Sequence, residues 1–177
     1  MNITVYCGSS SGNDVKYEES ARALGKWIGK NGHTLVYGGA SKGLMGTLSK
    51  AVLEEGGKVI GVLPDVPRIQ ARRQEGLTEY IETKTMAERK AKMIELADAF
   101  VALPGGIGTL DEITDVMSLS SLDITPAPIV LFDTDGYYSP LKAVIRNIID
   151  SGFGRTEFFE KVLFSGDMDE ISEFITK

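Results

Sequence analysis

Residues 104–112 carry the most specific chemical pattern in the sequence, which reads Pro-Gly-Gly-Ile-Gly-Thr-Leu-Asp-Glu. The pattern follows an apolar run and opens a helical one. Glycines let backbone N–H groups approach a ligand closely, and a helix N-terminus attracts anions. The sequence therefore predicts a phosphate-binding loop. The competing interpretation is a tight turn in which Thr109 and Glu112 form a capping box that occupies both side chains.

A second glycine-rich loop spans residues 38–43, with Gly46 beyond it. It lacks the Gly-Lys-Ser/Thr spacing of a Walker A loop. It nearly matches the dinucleotide-binding fingerprint, but Ala40 replaces the middle glycine, and Asp65 could serve as the ribose-binding acid. A dinucleotide-dependent oxidoreductase is therefore an alternative, although this loop follows the second predicted strand rather than the first.

Two cations, Arg89 and Lys90, fall in the first turns of a predicted helix that Thr85 and Glu88 are expected to cap. A cation at this end of a helix opposes the helix dipole. Either an anion therefore lies nearby, or the two side chains form a solvated surface pair.

The other reactive residue types offer less chemistry. His33, the single histidine, precedes the second predicted strand, so a Ser-His-Asp or Cys-His mechanism and a His-containing zinc site are not supported. Cys7 is expected to be a small buried residue. Asp111, Glu112 and Asp115 are expected to be ordinary partners of a helix N-terminus rather than a metal site.

The elements that must position these residues alternate between short apolar strands and helical patterns, which indicates a mostly parallel sheet covered by helices on both faces. We predict a single doubly wound, Rossmann-like α/β domain over residues 1–177, with its ligand at the carboxyl ends of the strands. Residues 65–78 are predicted to be a mobile loop or a short helix. Strands are predicted over Ile3–Cys7, Thr34–Tyr37, Lys58–Leu63, Tyr80–Thr83, Ala99–Leu103, Pro128–Phe132 and Val162–Phe164. A helix capped by Asp14 or Asn13 is predicted to run through Lys30, and further helices are predicted over Leu44–Glu55, Thr85–Leu96, Leu110–Leu122, Pro140–Asp150 and Asp167–Ile175.

Charge and composition exclude several classes of protein. The 19 basic and 25 acidic residues give a net charge of -6, which disfavours a general nucleic-acid binder. A single cysteine excludes a disulfide scaffold and favours a cytoplasmic location. The N-terminus is predicted to be a strand rather than a signal peptide, and no apolar run is long enough to span a membrane.

Taken together, these motifs resemble the Lonely Guy (LOG) family of cytokinin-activating phosphoribohydrolases. The resemblance rests on residues 7–10, 38–46, 86–90, 104–112 and 135–138. It implies a homodimer that hydrolyses the bond between an adenine-type base and ribose 5′-monophosphate, without a metal or an organic cofactor. It places the catalytic pair on Arg89 and Glu112. The implied substrate-binding residues are Gly8, Ser9, Gly38, Gly39, Ser41, Met86, Lys90, Pro104, Gly105, Gly106, Ile107, Gly108, Thr109, Leu110 and Asp111.

The sequence departs from the family pattern around the base pocket. Ala40 replaces a usual glycine, Ala87 replaces a common histidine, and Ala71 falls where the family often carries an acid. Leu119 and Ser121 replace the Trp and Gln of plant-type members. A non-hydrolytic carrier of a nucleotide or a molybdenum-cofactor-like ligand is the alternative function. The lysine decarboxylase label sometimes given to such proteins is disfavoured, because that enzyme needs a lysine that bears pyridoxal phosphate.

Overall fold

Seven parallel strands form one sheet in the computed structural model, which describes residues 1–177 except the side chain of Phe159. Short 3₁₀ turns cover Thr134–Gly136 and Thr156–Lys161. The strands are β1 (Asn2–Tyr6), β2 (Thr34–Tyr37), β3 (Lys58–Pro64), β4 (Glu79–Thr83), β5 (Ala99–Ala102), β6 (Ile129–Phe132) and β7 (Val162–Ser165). The helices are α1 (Val15–Lys30), α2 (Gly43–Glu54), α3 (Pro67–Gln70), α4 (Met86–Glu95), α5 (Ile107–Ser121), α6 (Ser139–Asp150) and α7 (Met168–Thr176).

The strand order β4-β3-β2-β1-β5-β6-β7 confirms the predicted doubly wound, Rossmann-like fold. The chain builds outward from β1 to β4 and then returns to the other side of β1 with β5. The loops after β1 and β5 therefore leave the sheet in opposite directions. Open α/β sheets bind their ligands in the crevice between two such loops. The two loops touch, since the Gly8 N–H donates to the Pro104 carbonyl at 3.1 Å.

Apolar side chains alternate between two buried layers, one on each face of the sheet. Helices α1, α2 and α7 cover the face that carries Ile3 and Val5. Helices α4, α5 and α6 cover the face that carries Tyr6 and Phe100. Helices α1 and α2 pack so closely that a Cβ at Gly25 would lie 2.7 Å from the Leu48 carbonyl oxygen. No helix in the described part of the chain is long and apolar enough to cross a bilayer.

Most predicted elements are confirmed to within a residue or two, but the start of α5 is a correction. Helix α5 begins at Ile107, with Gly106 as its N-cap, rather than at Leu110. Thr109 is therefore the third residue of the helix, and the capping box with Glu112 is wrong. The predicted cap of α4 is confirmed, because Thr85 accepts a hydrogen bond from the Glu88 N–H at 3.1 Å. Residues 67–70 form the short helix α3.

Candidate active site

A cleft of about 500 Å³ opens at the carboxyl edge of the sheet, over β1, β2, β3 and β5. Its walls combine the glycine-rich loops with side chains from α3, α4 and α5. The lining residues are Cys7, Gly8, Ser9, Gly38, Ala40, Met45, Val66, Arg68, Ile69, Arg72, Met86, Arg89, Gly106, Gly108, Thr109 and Glu112.

A buried ion pair, Arg89 with Glu112, lies in the wall of this cleft. The two side chains are only 6% and 8% exposed. Arg89 Nη1 donates to Glu112 Oε1, and Arg89 Nε donates to the Val62 carbonyl at 3.0 Å. The hydrogen bond to Val62 fixes the plane of the guanidinium. Glu112 Oε2 accepts no hydrogen bond from any side chain that the structure describes, which leaves one carboxylate oxygen for a ligand.

Gly38, the first residue after β2, makes room for that pair. A Cβ at this position would lie 2.3 Å from Arg89 Nη2. Real Cβ atoms do not approach so closely, so any side chain at residue 38 would displace the guanidinium. The first glycine of the second loop therefore has a packing role beside Arg89, which explains its residue type without a dinucleotide.

The N-terminus of α5 also faces the cleft, with Gly106, Gly108 and Thr109 in its lining. Gly106 caps the helix without a side-chain hydrogen bond, and the first turn contains no acidic residue. The first N–H groups of a helix have no partner within it, and the helix dipole gives them partial positive charge. This end of the cleft is therefore built to accept an anion.

Two neighbouring tyrosines support the loop that leads into α5. The Tyr138 hydroxyl donates to the Leu103 carbonyl at 2.8 Å, and the Tyr137 hydroxyl donates to the Gly105 carbonyl at 2.5 Å. Gly105 has no space for a side chain, since a Cβ there would lie 2.1 Å from Thr109 Oγ1. The two tyrosine hydroxyls therefore hold two carbonyl groups of this loop in fixed positions.

The two other titratable groups beside the ion pair remain protonated. Burial, followed by the nearby Glu112 carboxylate, raises the pKa of the Cys7 thiol well above its usual range. The same two causes, in the same order, raise the pKa of the Tyr6 hydroxyl. A neutral thiol is a poor nucleophile. The burial of Cys7 confirms the expectation that it is a small buried residue. Glu112 is the carboxylate that lines the cleft.

The structure brings together nine of the residues predicted for the site and leaves eight outside the cleft lining. Ser41 binds the Arg72 carbonyl instead, and Lys90 pairs with Asp111 on the outer surface of α4 and α5. Lining residues from the predicted set are Gly8, Ser9, Gly38, Met86, Arg89, Gly106, Gly108, Thr109 and Glu112. The others are Gly39, Ser41, Lys90, Pro104, Gly105, Ile107, Leu110 and Asp111.

Sequence reasoning missed the wall that α3 and its flanks contribute. Val66, Arg68, Ile69 and Arg72 line the cleft, although they belong to the least regular stretch of the sequence. The signal available in the sequence was compositional, because three arginines fall within residues 68–73. Nothing in the local sequence shows that this stretch folds against the loop after β2.

Fold and site together define a Rossmann-like protein with an anion-accepting cleft at the carboxyl edge of its sheet. Residues 45–175 match a family model described as "Possible lysine decarboxylase". The chain is 40% identical over 169 residues to a cytokinin riboside 5′-monophosphate phosphoribohydrolase of Rhodococcoides fascians, covering 95% of this chain and 85% of the relative. It is 42% identical to the enzyme of that name, LOG2, from Arabidopsis thaliana, covering 85% and 71%. The chain belongs to this LOG family of enzymes.

Solved structures support the same fold at lower identity. The molybdenum cofactor binding protein from Rippkaea orientalis superposes with a TM-score of 0.75 at 22% identity, covering 99% of this chain and 94% of the other. The Moco carrier protein from Chlamydomonas reinhardtii gives a TM-score of 0.73 at 23% identity, covering 99% and 97%. At these identities the likeness is one of fold.

Proposed function

We propose that this chain hydrolyses the N-glycosidic bond of a purine nucleoside 5′-monophosphate, with an adenine-type base that can carry an N6 substituent, to the free base and ribose 5-phosphate. The observation that carries the proposal is the buried Arg89–Glu112 pair set beside an uncapped helix N-terminus in one cleft. The names of the relatives support the reaction class. We also propose that the chain is one domain, since a single seven-stranded sheet runs through it, and that it works in the cytoplasm, since its single cysteine allows no intramolecular disulfide.

The 5′-phosphate is assigned to the first turn of α5. The N–H groups of Gly106, Gly108 and Thr109 and the Thr109 hydroxyl provide donors there, and a phosphate dianion is stabilised by the helix dipole. Gly8 and Ser9, from the adjacent loop after β1, complete this end of the cleft.

Glu112 is assigned to the ribose. Cleavage of the bond between C1′ and the base nitrogen develops positive charge on the sugar ring, as in glycoside hydrolysis, and a carboxylate stabilises that charge. Water then adds to C1′, and the base leaves with a proton. Glu112 Oε2 is positioned to hold a ribose hydroxyl or the attacking water, while Arg89 donates to Oε1 and fixes the orientation of the carboxylate.

The base is assigned to the apolar part of the cleft. Met45, Val66, Ile69 and Met86 line this part and provide flat, polarisable contacts for a purine. A cleft of about 500 Å³ is within the usual range for small-molecule sites. Arg89 remains within reach of the nucleotide because its guanidinium borders the same wall.

We also propose a homodimer. Met86, Ile107 and Leu110 are exposed beside the cleft, and Ile107 is 81% exposed. Three large apolar side chains at the starts of α4 and α5 are more readily explained by a covered surface than by contact with water. Light scattering on the purified protein tests this; a monomer at micromolar concentration contradicts it.

The experiment that tests the reaction is product analysis after incubation with AMP and with N6-isopentenyl-AMP. We expect free base and ribose 5-phosphate from the wild type. Glu112→Gln should keep its nucleotide affinity and lose about 100- to 1000-fold in kcat, because the charge that stabilises the transition state is gone. Asp115→Asn is the matched control, since this carboxylate of the same helix pairs with Lys90 outside the cleft.

The outcomes separate the two candidate functions. Base release by the wild type and by Asp115→Asn, but not by Glu112→Gln, supports the phosphoribohydrolase. Nucleotide binding without base release from any tested nucleotide would favour the non-hydrolytic carrier instead. Wild-type turnover by Glu112→Gln would remove the carboxylate from the mechanism.

A further inference from the structure

Two arginines of the α3 wall, Arg68 and Arg72, line the cleft without a carboxylate partner. Neither side chain forms an ion pair or a side-chain hydrogen bond with the residues that the structure describes. The cleft contains two other charged side chains, Arg89 and Glu112, and these neutralise each other. The cleft of a protein with a net charge of -6 therefore carries two unpaired positive charges.

Hydrogen bonds hold the backbone of the α3 wall against the edge of the sheet. The Ser41 N–H and hydroxyl both bind the Arg72 carbonyl, at 2.9 and 3.0 Å, and the Gln74 N–H binds the Gly39 carbonyl at 2.7 Å. Gln70 Nε2 donates to the Pro64 carbonyl at 3.1 Å. The wall is thus held against the loop after β2, and the two arginines belong to the cleft.

These arginines lie far from the end of the cleft that suits the 5′-phosphate. Helix α5 follows β5, whereas the wall follows β3 and contacts the loop after β2. Strands are about 4.8 Å apart, so two or three spacings separate the wall from the α5 N-terminus by about 10–14 Å. Because a nucleoside monophosphate bound at α5 extends across the cleft, Arg68 and Arg72 face its base end.

We propose that the cleft takes a nucleotide with a second anionic group, a carboxylate or a phosphate, attached to its base, and that Arg68 and Arg72 bind this group. Guanidinium groups form paired hydrogen bonds to either anion. The proposal rests on the proposed function and narrows its substrate class.

The test compares three probes that share the AMP body. N6-isopentenyl-AMP carries a neutral substituent, N6-(1,2-dicarboxyethyl)-AMP carries carboxylates, and N6-(2-phosphonoethyl)-AMP carries a phosphonate. The variants are R68A/R72A and, as a matched control, R73A. Arg73 belongs to the same segment, but its guanidinium lies over the Tyr80 ring, 4.6 Å from the ring centroid, and it does not line the cleft.

We expect the wild type to prefer one or both anionic probes, and the better one identifies the anion. R68A/R72A should lose about 10- to 100-fold in kcat/KM for that probe, as for charge-assisted hydrogen bonds. The same variant should stay within about threefold for the neutral probe, because Arg68 and Arg72 are exposed and exposed charges act weakly at a distance. R73A should leave kcat/KM unchanged for both the anionic and the neutral probes.

Two results overturn the proposal. An equal loss for all three probes means that the arginines serve the shared 5′-phosphate or the fold, and no loss means that they are solvated surface charges. If the wild type cleaves none of the probes, the proposed function fails, and the dissociation constants of the same three probes decide this proposal separately. Tighter binding of the anionic probes by the wild type, lost in R68A/R72A, supports the proposal about the two arginines. Equal dissociation constants for the three probes overturn that proposal.

Discussion

Arg89 and Lys90 are consecutive residues of α4, and both pair with carboxylates of α5. Arg89 pairs with Glu112 in a wall where both side chains are more than nine-tenths buried. Lys90 contacts Asp111 and Asp115, each at 3.2 Å, on a surface where the Asp111 side chain is 58% exposed. One pair of helices thus holds a buried ion pair and an exposed one a single residue apart.

The two ion pairs differ in what they cost the fold and in how much they stabilise it. Removing two charges from water costs several kcal/mol, and mutual attraction seldom gives a net gain over apolar side chains of similar size. An exposed pair costs little and stabilises little. A buried pair at the edge of a cleft is therefore better explained by what it does to a ligand than by what it adds to the fold.

The largest effect should come from Arg89→Ala. It leaves the Glu112 carboxylate buried without its cation, and such unpaired charges destabilise by about 3 kcal/mol or more. Chemical denaturation measures this loss, and we expect nucleotide binding and turnover to fall with it. Arg89→Met is the control for folding, because methionine fills much of the volume of the arginine side chain without its charge. Unchanged stability and kinetics in both variants would reduce Arg89 to an incidental charge.

A smaller effect is expected for Arg89→Lys, which places a lysine at both position 89 and position 90. A lysine keeps the charge but lacks the planar fork that reaches the Val62 carbonyl and Glu112 together. We expect kcat/KM to fall about tenfold, with a loss of about 1 kcal/mol in stability for one hydrogen bond. Full activity in this variant would show that charge alone, without orientation, is sufficient.

The smallest effect is expected for Lys90→Ala. The exposed pairs with Asp111 and Asp115 should contribute less than about 1 kcal/mol to stability and should weaken further in high salt. The side-chain hydrogen bond to Asp111 raises the pKa of Lys90. The contribution is therefore present at neutral pH and is lost as the pH rises through that pKa. A loss as large as that of Arg89→Ala would contradict the comparison.

Local patterns predicted much of the fold. The alternation of β-branched runs with capped helices was sufficient for the parallel sheet. The structure confirms Thr85 as an N-cap and selects Asp14 over Asn13, since both side chains accept a hydrogen bond from a nearby N–H group. The predicted start of α5 is wrong, because the spacing of Thr109 and Glu112 is typical of a capping box that this helix does not use. The chain uses Gly106 instead, which leaves the first N–H groups of α5 without a side-chain cap.

The site needed information that local sequence does not contain. Arg89 and Glu112 are 23 residues apart, and Ser41 and Arg72 are 31 residues apart. Such pairs depend on strand order, which brings the loops after β2, β3 and β5 to one edge. The resemblance to a family pointed to the Arg89–Glu112 pair. The α3 wall depends on hydrogen bonds between residues 72–74 and the loop after β2, which no local pattern predicts.

Tyr137 and Tyr138, which bind the carbonyls of Gly105 and Leu103, have a consequence for the kinetics of ligand capture. A glycine-rich loop can rotate its peptide planes easily, and a plane turned the wrong way would present a carbonyl oxygen to an incoming phosphate. The two hydroxyls resist such peptide flips in the loop that leads into α5. The conformational entropy of ordering this loop is therefore lost when the protein folds, and a nucleotide meets donors that are already aligned.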